Sequence, residues 1–159
     1  MAAGFSHTCG LDAQGNAWCW GGGPLGELGV GPLPRVQPTP VPMAGNLTWT
    51  AMSAAQDFAC GLASGGTAYC WGQGGLAGTL GDGSGRDANV PTPVAGNHSF
   101  ATISTANSHA CGVTTGGQGY CWGENSNGRL GDGTQTDRPT PTLVTGGHTW
   151  SHIVTANPG

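Results

Sequence analysis

Apolar residues along this chain come in short runs, about four to seven positions long and rich in Thr, Val, Trp and Tyr, and every run is cut off by Gly, Pro, Asn or Asp. No stretch carries the 3.6-residue apolar period of an amphipathic helix. The pattern predicts an all-β protein of short strands joined by tight turns. The segment from His7 to Leu11, a turn over Asp12 to Asn16 and the run from Ala17 to Gly21 predict a hairpin, and folding it about Gln14 sets Cys9 directly opposite Cys19. The same fold-over sets Cys60 against Cys70 and Cys111 against Cys121. Opposed positions on antiparallel strands lie about 4.5 to 5.5 Å apart, which is within disulfide reach.

The hairpin recurs. Cys9, Cys60 and Cys111 are spaced by 51 residues, as are Cys19, Cys70 and Cys121. Each copy ends its hairpin on an aromatic residue, Cys, Trp and Gly, as in Trp18-Cys19-Trp20-Gly21, Tyr69-Cys70-Trp71-Gly72 and Tyr120-Cys121-Trp122-Gly123. Leu-Gly pairs follow (Leu28-Gly29, Leu80-Gly81, Leu130-Gly131), then Thr-Pro pairs (Thr39-Pro40, Thr92-Pro93, Thr140-Pro141), and an aromatic opens the next run: Trp49, Phe100 and Trp150. A period near 50 marks propellers and repeat arrays. The expected units are residues 1–46, 47–97 and 98–147, with 148–159 as the leading strand of a next blade.

These motifs resemble the repeat of the regulator of chromosome condensation family, in a secreted, bacterial-style variant with paired cysteines. The matching residues are His7-Thr8-Cys9-Gly10-Leu11, Trp20-Gly21 and the loop Gly128-Arg129-Leu130-Gly131-Asp132-Gly133. The resemblance implies β-propeller blades, each a four-stranded antiparallel sheet, and family members close seven of them into a ring. Three units leave the ring incomplete. A bare blade face of roughly 300 Å², about two-thirds of it apolar, forgoes roughly 5 kcal/mol at about 25 cal/mol per Å². The expectation is therefore an assembly closed, or propagated, by exchange of the terminal strand from His148 to Ala156 with another chain.

Composition narrows the function. Among 159 residues only 12 are charged, eight acidic and four basic, and none is lysine. A nucleic-acid surface is not expected, because such affinity comes from many Lys and Arg contacts to phosphate. No apolar run approaches the roughly 18 to 20 residues that cross a bilayer, so no membrane insertion is expected. The start, Met1-Ala2-Ala3-Gly4, lacks the features of a secretory signal, so an export signal is expected to have been trimmed or to lie upstream. The nuclear role found in the family, nucleotide exchange on a small GTPase with chromatin binding, is not expected of an acidic, lysine-free chain. Inhibition of β-lactamases, the role of a secreted bacterial member, is compatible with it. Light sensing is not implied, since the Gly-Trp-Arg-His-Thr motif that accompanies it is absent.

The residues with chemistry are few. Three hairpin disulfides are expected and imply an oxidising compartment, secreted or at the cell surface; reduced structural thiols and a metal site are the alternatives, though nine intervening residues do not match zinc spacing. Trp20, Trp71 and Trp122, with Trp49, Phe100 and Trp150, are expected to pack blade on blade rather than to form a ligand cage. His7 and His109 share a position that holds Phe58 in the middle unit, which argues packing, not catalysis. The loops from Asp82 to Asp87 and from Asp132 to Asp137 gather oxygens but lack the order of a calcium loop, and turn chemistry accounts for them. Arg35, Arg86 and Arg138 recur just before the Thr-Pro pairs and are candidate rim-binding residues; pairing with nearby carboxylates is the alternative. Asn46 and Asn97 each open a glycosylation pattern at equivalent positions. No catalytic motif occurs, and neither an enzyme nor a cofactor is expected. The expected function is a structural, self-assembling block whose partner is a protein, first of all other copies of itself; the alternative is a fragment of a longer closed propeller that recognises a protein through rim loops.

Overall fold

The computed structural model describes residues 1–32 and 35–156. Among these the elements are strands: β1 (Ala2–Ala3), β2 (His7–Leu11), β3 (Ala17–Gly22), β4 (Val36–Pro42), β5 (Trp49–Ala54), β6 (Phe58–Ala63), β7 (Ala68–Gly72), β8 (Ala88–Pro93), β9 (Phe100–Ala106), β10 (His109–Thr114), β11 (Gly119–Gly123) and β12 (Arg138–Leu143). They form three four-stranded antiparallel sheets, each a meander in chain order. These are the expected propeller blades, stacked as an open arc.

The middle hairpin of each blade follows from its turn and its cysteines. Asp12 caps the first turn, its carboxylate accepting from the backbone N–H groups of Gln14 and Asn16 at 2.9 Å. That register pairs Cys9 with Cys19, Cys60 with Cys70 and Cys111 with Cys121. All three pairs are disulfides, with Cα atoms 4.1 to 4.2 Å apart. No cysteine is free.

The fourth strands have a different logic. β4 carries Pro38, Pro40 and Pro42, β8 carries Pro91 and Pro93, and β12 carries Pro139 and Pro141, in each case at every second position. Proline donates no backbone hydrogen bond, so such a strand can pair on one side only. Each of the three is a sheet edge. The prolines also blunt that edge against pairing with foreign strands.

Each sheet has two unlike faces, because successive side chains point to opposite sides. One carries the disulfide, the other the tryptophan that follows the second cysteine. The core lies between blades. The disulfide face of the first blade (Cys9, Ala17, Cys19, with Leu28 and Met43) packs on Trp49, Ala59 and Trp71 of the second. The disulfide face of the second (Phe58, Cys60, Leu62, Cys70, Leu80) packs on Phe100, Ala110 and Trp122 of the third. The third disulfide, Cys111 to Cys121, clusters with Leu130, Val144 and Ile153.

Residues 148–156 hold no strand, although they lie where the leading strand of a next blade is expected, and 157–159 fall outside the described residues. The segment is nonetheless docked on the third blade, as its hydrogen bonds show below.

Each disulfide closes a short loop, its ends 10 residues apart, which on the chain-entropy model contributes about 3 kcal/mol. Replacing Cys60 and Cys70 together by serine is expected to lower the unfolding free energy by about that amount, read from urea denaturation curves extrapolated to water with each protein's own slope.

Candidate functional site

The two buried seams between blades share one construction. The Trp71 indole N–H of the second blade donates to the backbone carbonyl of Glu27 in the first, at 2.9 Å. The Trp122 indole of the third blade donates to the carbonyl of Thr79 in the second, at 3.1 Å. Both carbonyls lie one residue before a Leu-Gly pair, and both indoles are fully buried. Gly29 and Gly81 adopt φ of +64° and +71°, a left-handed conformation that favours glycine. A Cβ on Gly81 would stand 2.6 Å from Trp122 Nε1, and one on Gly29 3.0 Å from the Trp71 indole. The Leu-Gly pair of the sequence repeat is thus the seat of the next blade's tryptophan. The inner-strand aromatic closes the seam from the side: Trp49 meets Trp71 edge-on with ring centres 5.6 Å apart, and Phe100 meets Trp122 at 6.0 Å.

At the two ends of the stack the halves of this construction stand apart. The first blade turns its tryptophan face outward: Trp20 is half-buried, Trp18 is 37% exposed, and the Trp20 indole nitrogen has no hydrogen-bond partner among the described residues. The third blade turns its disulfide face outward onto a cleft of about 520 Å³ that includes Cys111, Cys121, Arg129, Gly131 and Val144 and is bordered by residues 150 and 153–156. Gly131, at φ +66°, repeats the conformation of Gly29 and Gly81, and a Cβ there would meet only Val144, at 3.2 Å.

The terminal segment lies along this cleft like an inner strand. Trp150 N donates to Gly117 O at 2.8 Å, as Phe100 N does to Gly66 O and Trp49 N to Gly15 O. Farther on, Thr155 N donates to Ser104 Oγ at 3.0 Å, just as Thr105 N of β9 donates to Ser53 Oγ. The hydroxyl pairs Ser104 with Thr155 and Ser53 with Thr105 repeat at 2.9 Å. The segment therefore takes from the third blade what β9 takes from the second.

The candidate rim arginines differ among themselves. Arg138 Nε is held by Asp132 at 2.7 Å, and that carboxylate is 2% exposed. Desolvation pushes the Asp132 carboxyl upward, but hydrogen bonds from Arg138, Thr134 and Asn125 together hold it well below the usual range. Asn125, itself fully buried, ties the loop by donating to Asp132, Thr134 and Thr136 while accepting from Leu130 N. Arg35 and Arg86 are exposed; Arg35 borders a polar cleft together with Asp87 of the next unit. Asp82 accepts from both the backbone N–H and the hydroxyl of Ser84. Asn46 and Asn97 are exposed, and Asn97 takes φ +50° as a turn residue. Sequence reasoning missed Asn125, although it is the residue that sets the third loop apart: the corresponding position of the second unit is Gly74, whose backbone N–H is bonded to Asp87.

His7 and His109 lie on the disulfide faces of their blades, His7 buried in the first seam and His109 at the cleft. Neither ring nitrogen of His7, nor Nδ1 of His109, has a hydrogen-bond partner. Burial pushes the His7 ring below its ordinary pKa, with Asp57 opposing weakly. Burial does the same to His109, helped by Arg129 and opposed by Glu124.

Residues 1–27 and 116–156 match the sequence profile of the regulator of chromosome condensation (RCC1) repeat. The chain is 32% identical to the ultraviolet-B receptor UVR8 of Arabidopsis thaliana over 81% of its own length and 30% of the receptor's. It is 31% identical to the human E3 ubiquitin-protein ligase HERC2 over 80% of the chain and 3% of the ligase. It thus spans under a third of these relatives. In structure it is similar to yeast Prp20 bound to Kap60, with a TM-score of 0.80 at 20% identity over 91% of the chain and 36% of Prp20. Human WBSCR16 is similar at a TM-score of 0.76 and 22% identity, over 91% of the chain and 38% of that protein. The structural likenesses show the fold: a propeller built of such blades.

A histidine held neutral by burial costs stability in acid, because below its ordinary pKa of 6.5 the unfolded chain takes up a proton that the folded chain refuses. Unfolding free energy is expected to fall as pH drops below about 6.5, until the lowered folded pKa is passed. His7→Phe, the residue that the second blade uses at Phe58, is expected to flatten that slope in thermal melts from pH 7.5 to pH 4.5, and a slope as steep as that of the unchanged chain would contradict it.

Proposed function

We propose, from the premise that this chain belongs to the regulator of chromosome condensation (RCC1) repeat family, that it is a non-catalytic structural block, secreted or at the cell surface, that joins copies of itself through its open blade faces and its terminal strand. The observation that carries this reading is the inequality of its two ends. One end presents an outward tryptophan face, the other a disulfide face with residues 150–156 docked along it, and the same two kinds of surface make both internal seams. Three disulfides and no free thiol support an oxidising compartment. A face left bare forgoes several kcal/mol of burial, a large part of a domain's net stability.

A second reading is favoured by a different observation. The chain spans 36% of Prp20, whose structures concern its binding to Kap60, Gsp1p and histones. In that reading the three blades are part of a longer closed ring, and the exposed Arg35 and Arg86 on neighbouring rim loops meet acidic groups of another protein.

Light scattering on the oxidised 159-residue chain, from low to high micromolar concentration, separates the two. Defined multimers whose mass rises with concentration are expected. A well-folded monomer throughout would sink self-assembly and leave the recognition reading standing.

A further inference from the structure

The seams inside the molecule specify how one copy meets the next. We infer that the Trp20 indole of one copy seats on the Arg129-Leu130-Gly131 loop of another, donating to the Arg129 carbonyl, while residues 150–156 of that second copy replace β1 as the inner strand beneath Trp20. This rests on the self-assembly reading and gives it an atomic form.

Every element of the two existing seams has its counterpart here. Trp71 and Trp122 donate to the carbonyls of Glu27 and Thr79, each one residue ahead of Leu28-Gly29 and Leu80-Gly81. Arg129 stands in that place ahead of Leu130-Gly131, and Gly131 keeps the left-handed conformation. The roof of the seat repeats as well: Met43, Val94 and Val144 follow their Thr-Pro strands at the same point, the first two 7% and 8% exposed and Val144 half-buried over the cleft. On the other copy, Trp20 pairs with Thr8 as Trp71 does with Ala59 and Trp122 with Ala110.

The inner strand follows the same rule. In the second and third blades the aromatic of that strand lies over a glycine of its neighbour: a Cβ on Gly61 would stand 2.8 Å from the Trp49 ring, and one on Gly112 2.7 Å from that of Phe100. In the first blade the nearest atoms to a Cβ on the corresponding Gly10 belong to the Met1 side chain, at 3.6 Å, and to Trp20, at 3.7 Å. Trp150, half-buried and already anchored to Gly117 O, is the aromatic that fits over Gly10 of the next copy. There it would face Trp20 and Trp18 as Trp49 faces Trp71 and Tyr69, at ring-centre distances of 5.6 and 5.7 Å.

The exchange is a competition for one edge of β2. β1 pairs with β2 at two positions, Ala2 with Cys9 and Ala3 with Thr8. β9 pairs with β10 at six positions. By the repeat, Val154 and Thr155 correspond to Ala2 and Ala3, so the two segments compete for one site, and residues 150–156 bring the aromatic Trp150 to it. The Trp face and the disulfide face are different surfaces, so the contact is head to tail.

The test uses two variants that damage opposite ends, Trp20→Ala and Val144→Asp, with near-ultraviolet circular dichroism and disulfide mapping to establish that each folds. Each variant alone is expected to be monomeric at concentrations where the wild type is multimeric. A 1:1 mixture is expected to form a species of twice the monomer mass and no larger, since one sound interface remains. Trp20→Phe, which keeps a ring but loses the N–H donor, is expected to weaken association about tenfold, as the loss of one hydrogen bond implies. Multimers unaffected by these changes, or a mixture that stays monomeric, would overturn the inference while leaving self-assembly intact. A monomeric wild type would overturn both.

Discussion

The structure depends on a single contact, the indole of one blade set against the Leu-Gly loop of the blade before it. An apolar sheet face must be buried against another element, and the middle sheet is apolar on both of its faces. Trp71 and Trp122 reach zero exposure because a left-handed glycine lets the ring approach the loop backbone where a Cβ would collide with it, and the carbonyl of the residue two before that glycine accepts the indole N–H. The large apolar area supplies the free energy, and the hydrogen bond supplies the position, since an unpaired indole nitrogen in that interior would cost more than the bond returns.

The disulfides act on a different scale. All three lie within hairpins, and none crosses a seam. They fix the register of β2 with β3, β6 with β7 and β10 with β11, and so fix which side each tryptophan takes, because a slip of one residue would turn every side chain to the other face. Cohesion between blades is left to packing and to hydrogen bonds such as those of the two indoles, with no covalent link. A stack built this way can keep its individual hairpins under conditions where its seams part, which is what a blade-by-blade assembly requires.

Much of this was legible in the sequence, for reasons that can be named. The 51-residue spacing of Cys9, Cys60 and Cys111 and the ten-residue span of each hairpin determine strand pairing almost by arithmetic, because the cysteines must oppose one another. The alternate prolines of β4, β8 and β12 likewise mark edges. The seat was harder to see. Its acceptor is a backbone carbonyl, so Glu27 and Thr79 share a role with no side-chain property in common; only the Leu-Gly pair after them gave a signal. The arginines show the opposite failure: Arg35, Arg86 and Arg138 look equivalent in the repeat, yet Asp132 pins the third, because Asn125 gathers that loop around it and Gly74 cannot do so in the second. The buried histidines were legible in part, since Phe58 at the same position already argued for packing, but that His7 stays neutral with neither nitrogen paired follows only from its place inside a seam.

The polarity of the repeat limits what the ends can do. Two tryptophan faces brought together would offer two indoles and no Leu-Gly carbonyl, and two disulfide faces would offer seats and no indole. A two-fold symmetric contact therefore reproduces neither seam, and copies of this chain that use these surfaces must follow one another in a single direction. Whether such a series closes depends on the rotation from one blade to the next, which the two internal seams already set. The rotation is a property of the seat itself, of the angle at which the Leu-Gly loop holds the ring. The same few atoms thus govern the burial of each tryptophan, the curvature of the arc and the geometry available to anything joined at its ends.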